Sequence, residues 1–271
     1  MQGAALKMHS IIESNTRKIT WVHCNLNIKR WWNQAFFSLD DAKNAYNKIE
    51  KIIFVSNDAM EEFTIPINNV TPHKEVFYNP INKNEIIAQA EEFTPAKKHL
   101  TICSIGRLEP QKAHDRLLRT VKKLAEEGLD FEVWILGSGR LEQDLKKLTF
   151  ELGINDYVKF KGFQKNPYPY LKQADIFVNT SITEGFPLVV CEAVCLGKAI
   201  VATRVTGTTE ILDKGEYGIL TGYQDIDIFN ALKTLIEQKK MRKNLEKKAK
   251  KRSEIFNIDQ SMKQFEKIIN D

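Results

Sequence analysis

Leu100-Thr101-Ile102-Cys103-Ser104-Ile105-Gly106-Arg107-Leu108-Glu109-Pro110-Gln111-Lys112 decides the reading of this chain. An apolar run rich in β-branched residues breaks at a glycine, and two cations then lead into a segment of helical period. In that segment, residues 115–127, Leu117, Leu118, Val121 and Leu124 recur on one face. The next apolar run, 131–136, is followed by a second glycine turn, Gly137-Ser138-Gly139, and by a helical segment at 141–152 that Gly153 ends as a C′ residue. Further short runs at 158–161, 176–179, 199–202 and 218–220 continue the alternation. This is the signature of βαβ units around a parallel sheet, an α/β fold. Open parallel sheets bind ligands beyond the carboxyl ends of their strands, so the loops after these runs are where chemistry is expected.

The remaining sequence sets limits. The 271 residues suffice for one large or two modest domains, and 42% apolar with 28% charged residues is ordinary globular usage. No apolar run approaches the roughly 18 residues that a membrane span needs, and residues 2–10 lack the apolar core of a signal peptide. A cytosolic protein is expected, with peripheral contact at the inner face of a membrane as the compatible membrane association. Cys24, Cys103, Cys191 and Cys195 match no paired zinc spacing and are expected as reduced thiols, three of them within apolar segments. The net charge is +5, and residues 239–252 hold nine Lys or Arg against one Glu. Such a run is more often a solvated helix face than a membrane or nucleic-acid surface, and no nucleic-acid partner is expected.

Upstream of residue 99 the pattern thins. Runs at 19–22 and 52–55 predict buried strands and 77–78 a shorter one, with helices at 39–49, 57–63 and 85–92 and a terminal amphipathic helix at 258–269. Before the linker this makes three strands and two helices, too few for a covered parallel sheet.

Three groups of residues carry the chemistry. Gly106 allows a tight turn and close backbone approach, while Arg107 and Lys112 place two cations beside a helix start, an anion site suited to a diphosphate. In isolation the same residues are compatible with a solvated loop, and the Walker lysine pattern is absent. Gly137-Ser138-Gly139 serves tight strand-to-helix packing or a ligand equally well, and it lacks the acidic residue that a nicotinamide cofactor would need. The densest group is Thr183-Glu184-Gly185-Phe186-Pro187-Leu188-Val189-Val190-Cys191-Glu192-Ala193. Pro187 fits the first turn of a helix whose orphan amides can hold an anion or a sugar hydroxyl. Glu192 lies within that apolar helix, where a carboxylate is costly without a dedicated partner. A cap-region charge for Glu184 and a salt bridge for Glu192 remain the alternative.

These motifs in this order resemble the C-terminal domain of retaining glycosyltransferase family 4. That family has the GT-B fold of two Rossmann-like domains. Its paired glutamates with seven residues between them match Glu184 and Glu192 in the setting Glu-Gly-Phe-Pro-Leu. Its Gly-Arg-Leu loop followed by a lysine matches Gly106, Arg107, Leu108 and Lys112, and Gly162-Phe163 matches the Gly-Phe after its third strand. Asn166-Pro167-Tyr168-Pro169-Tyr170 is similar to members that build bacterial surface polysaccharides. The resemblance implies that Arg107 and Lys112 hold the diphosphate of a UDP- or GDP-linked sugar, that Glu192 holds the ribose hydroxyls, and that the backbone near Phe163 holds the base. It also implies that Glu184 and the backbone of Gly185, Phe186, Pro187 and Leu188 hold the transferred sugar and distal phosphate, with no metal and no resident cofactor. The acceptor would be a glycan or a lipid-linked glycan.

The upstream part resembles the family from the middle of its N-terminal domain. Ile19-Thr20-Trp21-Val22-His23 is similar to the strand that ends in a histidine reaching the donor sugar, which makes His23 a site candidate. The implied organisation is a partial N-terminal Rossmann-like domain at 1–82, a linker and helix at 83–98, a nucleotide-sugar-binding domain at 99–257, and a helix at 258–271 that crosses back. The family's early strands and Gly-rich loop have no counterpart, so donor binding without efficient transfer, and self-association through an open sheet edge, are expected. A nucleotide-sugar epimerase and a non-catalytic donor-binding remnant are the competing functions.

Overall fold

The computed structural model describes residues 2–12, 15–23, 36–64 and 69–270, so Cys24 lies outside the described residues. The chain divides into two units. The first comprises Met1–Asn79, Thr183–Phe186 and Asp259–Asp271, and the second comprises Pro80–Ile182 and Pro187–Ile258.

The second unit is a six-stranded, all-parallel sheet. Its strands are β4 (Thr101–Ile105), β5 (Glu132–Leu136), β6 (Val158–Gly162), β7 (Ile176–Asn179), β8 (Ala199–Thr203) and β9 (Ile219–Thr221), in the spatial order β6-β5-β4-β7-β8-β9. The order reverses between β4 and β7. Side chains alternate between two buried faces, as the period of a strand dictates. Ile102, Val133, Ile135, Ile176, Val178 and Val201 face a core built with Leu117, Leu118, Val121 and Leu124 of α5 (His114–Glu126) and Leu232 and Leu235 of α10 (Asp225–Glu237). Cys103, Trp134 and Leu136 face the other side. Cys103, Cys191 and Cys195 are free and buried, and burial pushes all three thiols up, that of Cys195 to about 12. The remaining helices of this unit are α4 (Lys83–Gln89), α6 (Glu142–Glu151), α7 (Tyr168–Gln173), α8 (Leu188–Cys195), α9 (Thr208–Ile211) and α11 (Lys239–Arg252).

The basic run 239–252 is α11. Arg242, Leu245 and Ala249 turn inward at helical spacing, while the exposed lysines face solvent. The Arg242 guanidinium donates to the carbonyls of Leu235 and Ile236 and so caps the end of α10.

The first unit holds a three-stranded parallel sheet, β1 (Ile19–Val22), β2 (Lys51–Phe54) and β3 (His73–Val76), in that spatial order. The third strand ends just before the expected run 77–78. His-Lys-Glu-Val offers no apolar signal, and the strand is defined by parallel pairing with all four residues of β2. Both faces of this sheet are covered, which corrects the expectation of an uncovered one. On one face α1 (Gln2–Ile11), α2 (Leu39–Asn47) and α3 (Asn57–Thr64) join Leu6, Tyr46, Ile52, Phe54 and Phe63 in one core. On the other, Phe265 and Ile268 of α12 (Ile258–Asn270) pack with Ile53, Phe77 and Trp21. Among the described residues no helix is long and apolar enough to cross a membrane.

Candidate functional site

At the carboxyl ends of β4, β5 and β6 three loops lock together around a cavity of about 480 Å³. The Gly106 amide donates to the Leu136 carbonyl at 3.0 Å, the Gly137 amide to the Gly162 carbonyl at 2.8 Å, and the Leu108 amide to the Ser138 carbonyl at 2.9 Å. Gly137 has φ 132°. Gly137-Ser138-Gly139 therefore fills both roles left open by its sequence: it packs tightly against the Gly106 loop, and Gly137 and Ser138 line the cavity. Gly106 itself has no positive φ, and its smallness serves the approach of its neighbours. The left-handed residue of this loop is Ala113, φ 48° and ψ 46°, which ends the 3-10 turn Pro110–Lys112 and begins α5.

Gly106, Arg107, Phe163 and Glu192 all line this one cavity. Arg107 is exposed, and no carboxylate pairs with it among the described residues. The aliphatic stem of Lys112 lies along Gly106, close enough that a Cβ at Gly106 would stand 3.4 Å from Lys112 Cδ and Cε. Phe163 is 74% exposed and projects at the mouth. The residue after Lys112 and Ala113, His114, is 3% exposed, and burial, reinforced by the Lys112 charge, lowers its pKa to about 4. A neutral imidazole therefore stands beside the cationic loop at pH 7.

Glu192 lies one turn into α8, partly buried, and burial pushes its pKa up against the lowering effect of a hydrogen bond from the Tyr168 hydroxyl, 3.4 Å from Oε1. No salt bridge to Glu192 is present among the described residues, so the dedicated partner is Tyr168. Its phenol is in turn pushed up to about 12 by burial and by the Glu192 charge. Asn166 fixes this tyrosine: its Oδ1 accepts from the Tyr168 amide at 3.1 Å, and its Nδ2 donates to the Gln89 carbonyl at 2.9 Å and to Glu92 at 2.8 Å. Tyr168 lies within the Asn166-Pro167-Tyr168 motif, and nothing in its local sequence points to a partner 24 positions away. Pro167 and Val189, from the Asn166–Tyr170 and Thr183–Ala193 motifs, also line the cavity, and Gln164 is a lining residue that no motif contains.

Pro187 is the N-cap of α8 rather than its first-turn residue, and no side chain caps this helix. Having no N–H, Pro187 offers no donor, so the amides free for a ligand at this helix start are those of Leu188 and Val189. Leu188 is 44% exposed. The segment carrying Glu184, Gly185 and Phe186 packs with the first unit, as does His23, which is exposed after β1. Ser56, at the start of α3, donates to the Gly185 carbonyl at 3.2 Å, and the rings of Phe186 and Tyr78 lie 5.5 Å apart. Glu184 is buried, 8% exposed. Among the described residues no group of three His, Cys, Asp or Glu side chains could hold a metal ion.

The sequence model of the family described as "Glycosyl transferases group 1" matches residues 85–252. The N-acetylgalactosamine-N,N'-diacetylbacillosaminyl-diphospho-undecaprenol 4-alpha-N-acetylgalactosaminyltransferase of Campylobacter jejuni is 33% identical over 214 residues, 78% of this chain and 57% of that protein. The lipopolysaccharide core biosynthesis glycosyltransferase LpsE of Rhizobium meliloti is 29% identical over 160 residues, 59% of this chain and 46% of that protein. The chain thus spans about half the length of the curated relatives it matches. Among solved structures, Anabaena HepE in complex with UDP superposes with a TM-score of 0.82 at 20% identity, covering 98% of this chain and 76% of that one. TarM superposes with a TM-score of 0.81 at 18% identity, covering 100% and 53%. These likenesses give the Rossmann-like glycosyltransferase fold, and with the family model matched over more than half its length, the chain belongs to the glycosyl transferases group 1 family.

Proposed function

We propose that this chain carries the donor-binding part of a glycosyltransferase that moves a sugar from a nucleoside-diphosphate sugar to a glycan or lipid-linked acceptor, with retention of anomeric configuration. One observation carries the reading: Arg107, Phe163 and Glu192 line a single cavity at the carboxyl ends of β4–β6, with Lys112 laid along Gly106 at its edge. Arg107 and Lys112 hold the diphosphate, Glu192 accepts from the ribose hydroxyls, and the base lies at Phe163. The solved structure of HepE with UDP, in the same fold, supports this class of ligand. The names of the relatives, which act on an undecaprenol-linked sugar or in lipopolysaccharide core synthesis, support the class of acceptor.

The chemistry asked of these groups is electrostatic. Negative charge develops on the leaving diphosphate as the glycosidic bond breaks, and two fixed cations stabilise it without rearranging. In this reading no divalent ion is required. The sequence motif assigns Glu184 and the backbone of Gly185, Phe186 and Leu188 to the transferred sugar and distal phosphate, and His23 to the same sugar. Retention follows from attack on the face the diphosphate leaves, with the departing phosphate taking the acceptor proton. Glu184 therefore positions the sugar and is not a nucleophile. A screen of UDP-, GDP- and ADP-sugars for thermal stabilisation tests the proposal, because ligand binding to the native state raises the melting temperature. One nucleotide class should raise it in a concentration-dependent way. The absence of any shift at millimolar concentrations would overturn the proposal.

A further inference from the structure

The 3-10 turn that presents Lys112 is held from outside its own loop. Three successive carbonyls, those of Gln111, Lys112 and Ala113, accept hydrogen bonds from the two ends of the tripeptide that follows β7. The Ile182 amide donates to Gln111 O at 2.9 Å, and Thr180 Oγ1 lies 2.9 Å from Lys112 O and 3.1 Å from Ala113 O. Thr180 is 2% exposed, and its own carbonyl accepts from Arg116 Nη1 at 3.3 Å. The contact spans the gap between β4 and β7, where the strand order reverses and where open parallel sheets place their ligands. Ala113, at the closure of the turn, holds a left-handed backbone that is unfavourable for any residue with a Cβ. Such a conformation persists only when its surroundings over-determine it, and the single proton of the Thr180 hydroxyl is shared between the two carbonyls of the Lys112–Ala113 step.

We propose that Thr180 is a positioning residue for Lys112: its hydroxyl holds the turn in the form that lays the lysine stem along Gly106, so that the ammonium is placed for a diphosphate. This rests on the reading that Lys112 meets the donor's diphosphate. A hydroxyl that only satisfied buried carbonyls would support the fold without favouring one ligand group, and the difference is measurable.

The test uses the full chain and UDP. Calorimetry compares the parent with Thr180→Val, Thr180→Ala, Thr180→Ser, Lys112→Ala and the double variant Thr180→Val with Lys112→Ala. Removal of the hydroxyl should weaken UDP binding about tenfold and Thr180→Ser should restore it, whereas in the Lys112→Ala background Thr180→Val should add almost nothing, the signature of two residues acting through one contact. Amide hydrogen exchange on the same variants should show faster exchange at Lys112 and Ala113 when the hydroxyl is gone, and parent-like exchange in Thr180→Ser. Thr180→Ala is the second variant should the valine not be accommodated. Independent, multiplying losses from Thr180→Val and Lys112→Ala would overturn the proposal, as would unchanged exchange in the turn. If Lys112→Ala itself left UDP affinity unchanged, the diphosphate reading would fall, while the exchange result would still decide whether Thr180 holds the turn.

Discussion

A Cβ placed on Gly137 would stand 2.0 Å from the carbonyl oxygen of Gly106 and 2.9 Å from its carbonyl carbon. Two backbones meet there because the loops after β4 and β5 share one cavity wall, and no flexible side chain can move aside. Gly137 also has φ 132°, a conformation other residues rarely adopt. Gly137→Ala is therefore expected to destabilise the second unit by on the order of 3 kcal/mol, from overpacking and backbone strain together. Urea unfolding monitored by tryptophan fluorescence checks it, since Trp134 lies in β5. A variant as stable as the parent would contradict the packing described.

His114 gives a pH dependence with a defined sign. Burial, then the Lys112 charge, lowers its folded pKa from 6.5 to about 4, against a raising effect of Asp115. A group whose folded pKa is depressed contributes stability that is present above the unfolded value and lost as pH falls through the folded one. Stability should therefore fall by roughly 3 kcal/mol from this residue between pH 7 and pH 4. His114→Leu should flatten that part of the profile, measured as unfolding free energy against pH. An unchanged acid limb in the variant would show that another group sets it.

Glu192 has the opposite sign. Burial raises its folded pKa, with the Tyr168 hydroxyl opposing. The stability linked to its proton is present below the unfolded carboxyl pKa and is lost as pH rises through the higher folded value, so at pH 7 the carboxylate detracts from the fold. Glu192→Gln should melt higher than the parent at pH 7, by an amount that shrinks towards zero near pH 4. The separate variant Glu192→Ala should lose the parent's preference for UDP over its 2′,3′-dideoxy form, because the group that accepts from two hydroxyls is then gone, whereas the glutamine amide oxygen still accepts. A glutamine variant that melted lower at pH 7, or an alanine variant that kept the ribose preference, would contradict the role given to Glu192.

What the sequence made legible follows from range. Strands β4, β5, β7 and β8 are apolar runs bounded by turn residues, and each lies within a residue or so of its expected span. Gly106 and Arg107 directly follow the β4 run and Glu192 is a carboxylate within an apolar helix, so the place of these three at one cavity has a local signal in the sequence. β3 was not, since His73–Val76 has no apolar pattern and is a strand through its neighbour. The cover over the small sheet is also only partly legible: α1 carries a weak apolar face, with Leu6 its buried contribution among the described side chains. Tyr168 against Glu192 and Thr180 against Lys112 lie 24 and 68 positions apart, and no local pattern joins them.

The most direct test of the diphosphate assignment is calorimetric titration of UDP in EDTA into the parent, Arg107→Ala and Lys112→Ala. Binding by the parent is expected without a divalent ion, with a loss of about 1.5–3 kcal/mol for each variant, the range for a hydrogen bond to a charged group. Binding that appeared only with magnesium or manganese, or variants that bound UDP as tightly as the parent, would contradict it.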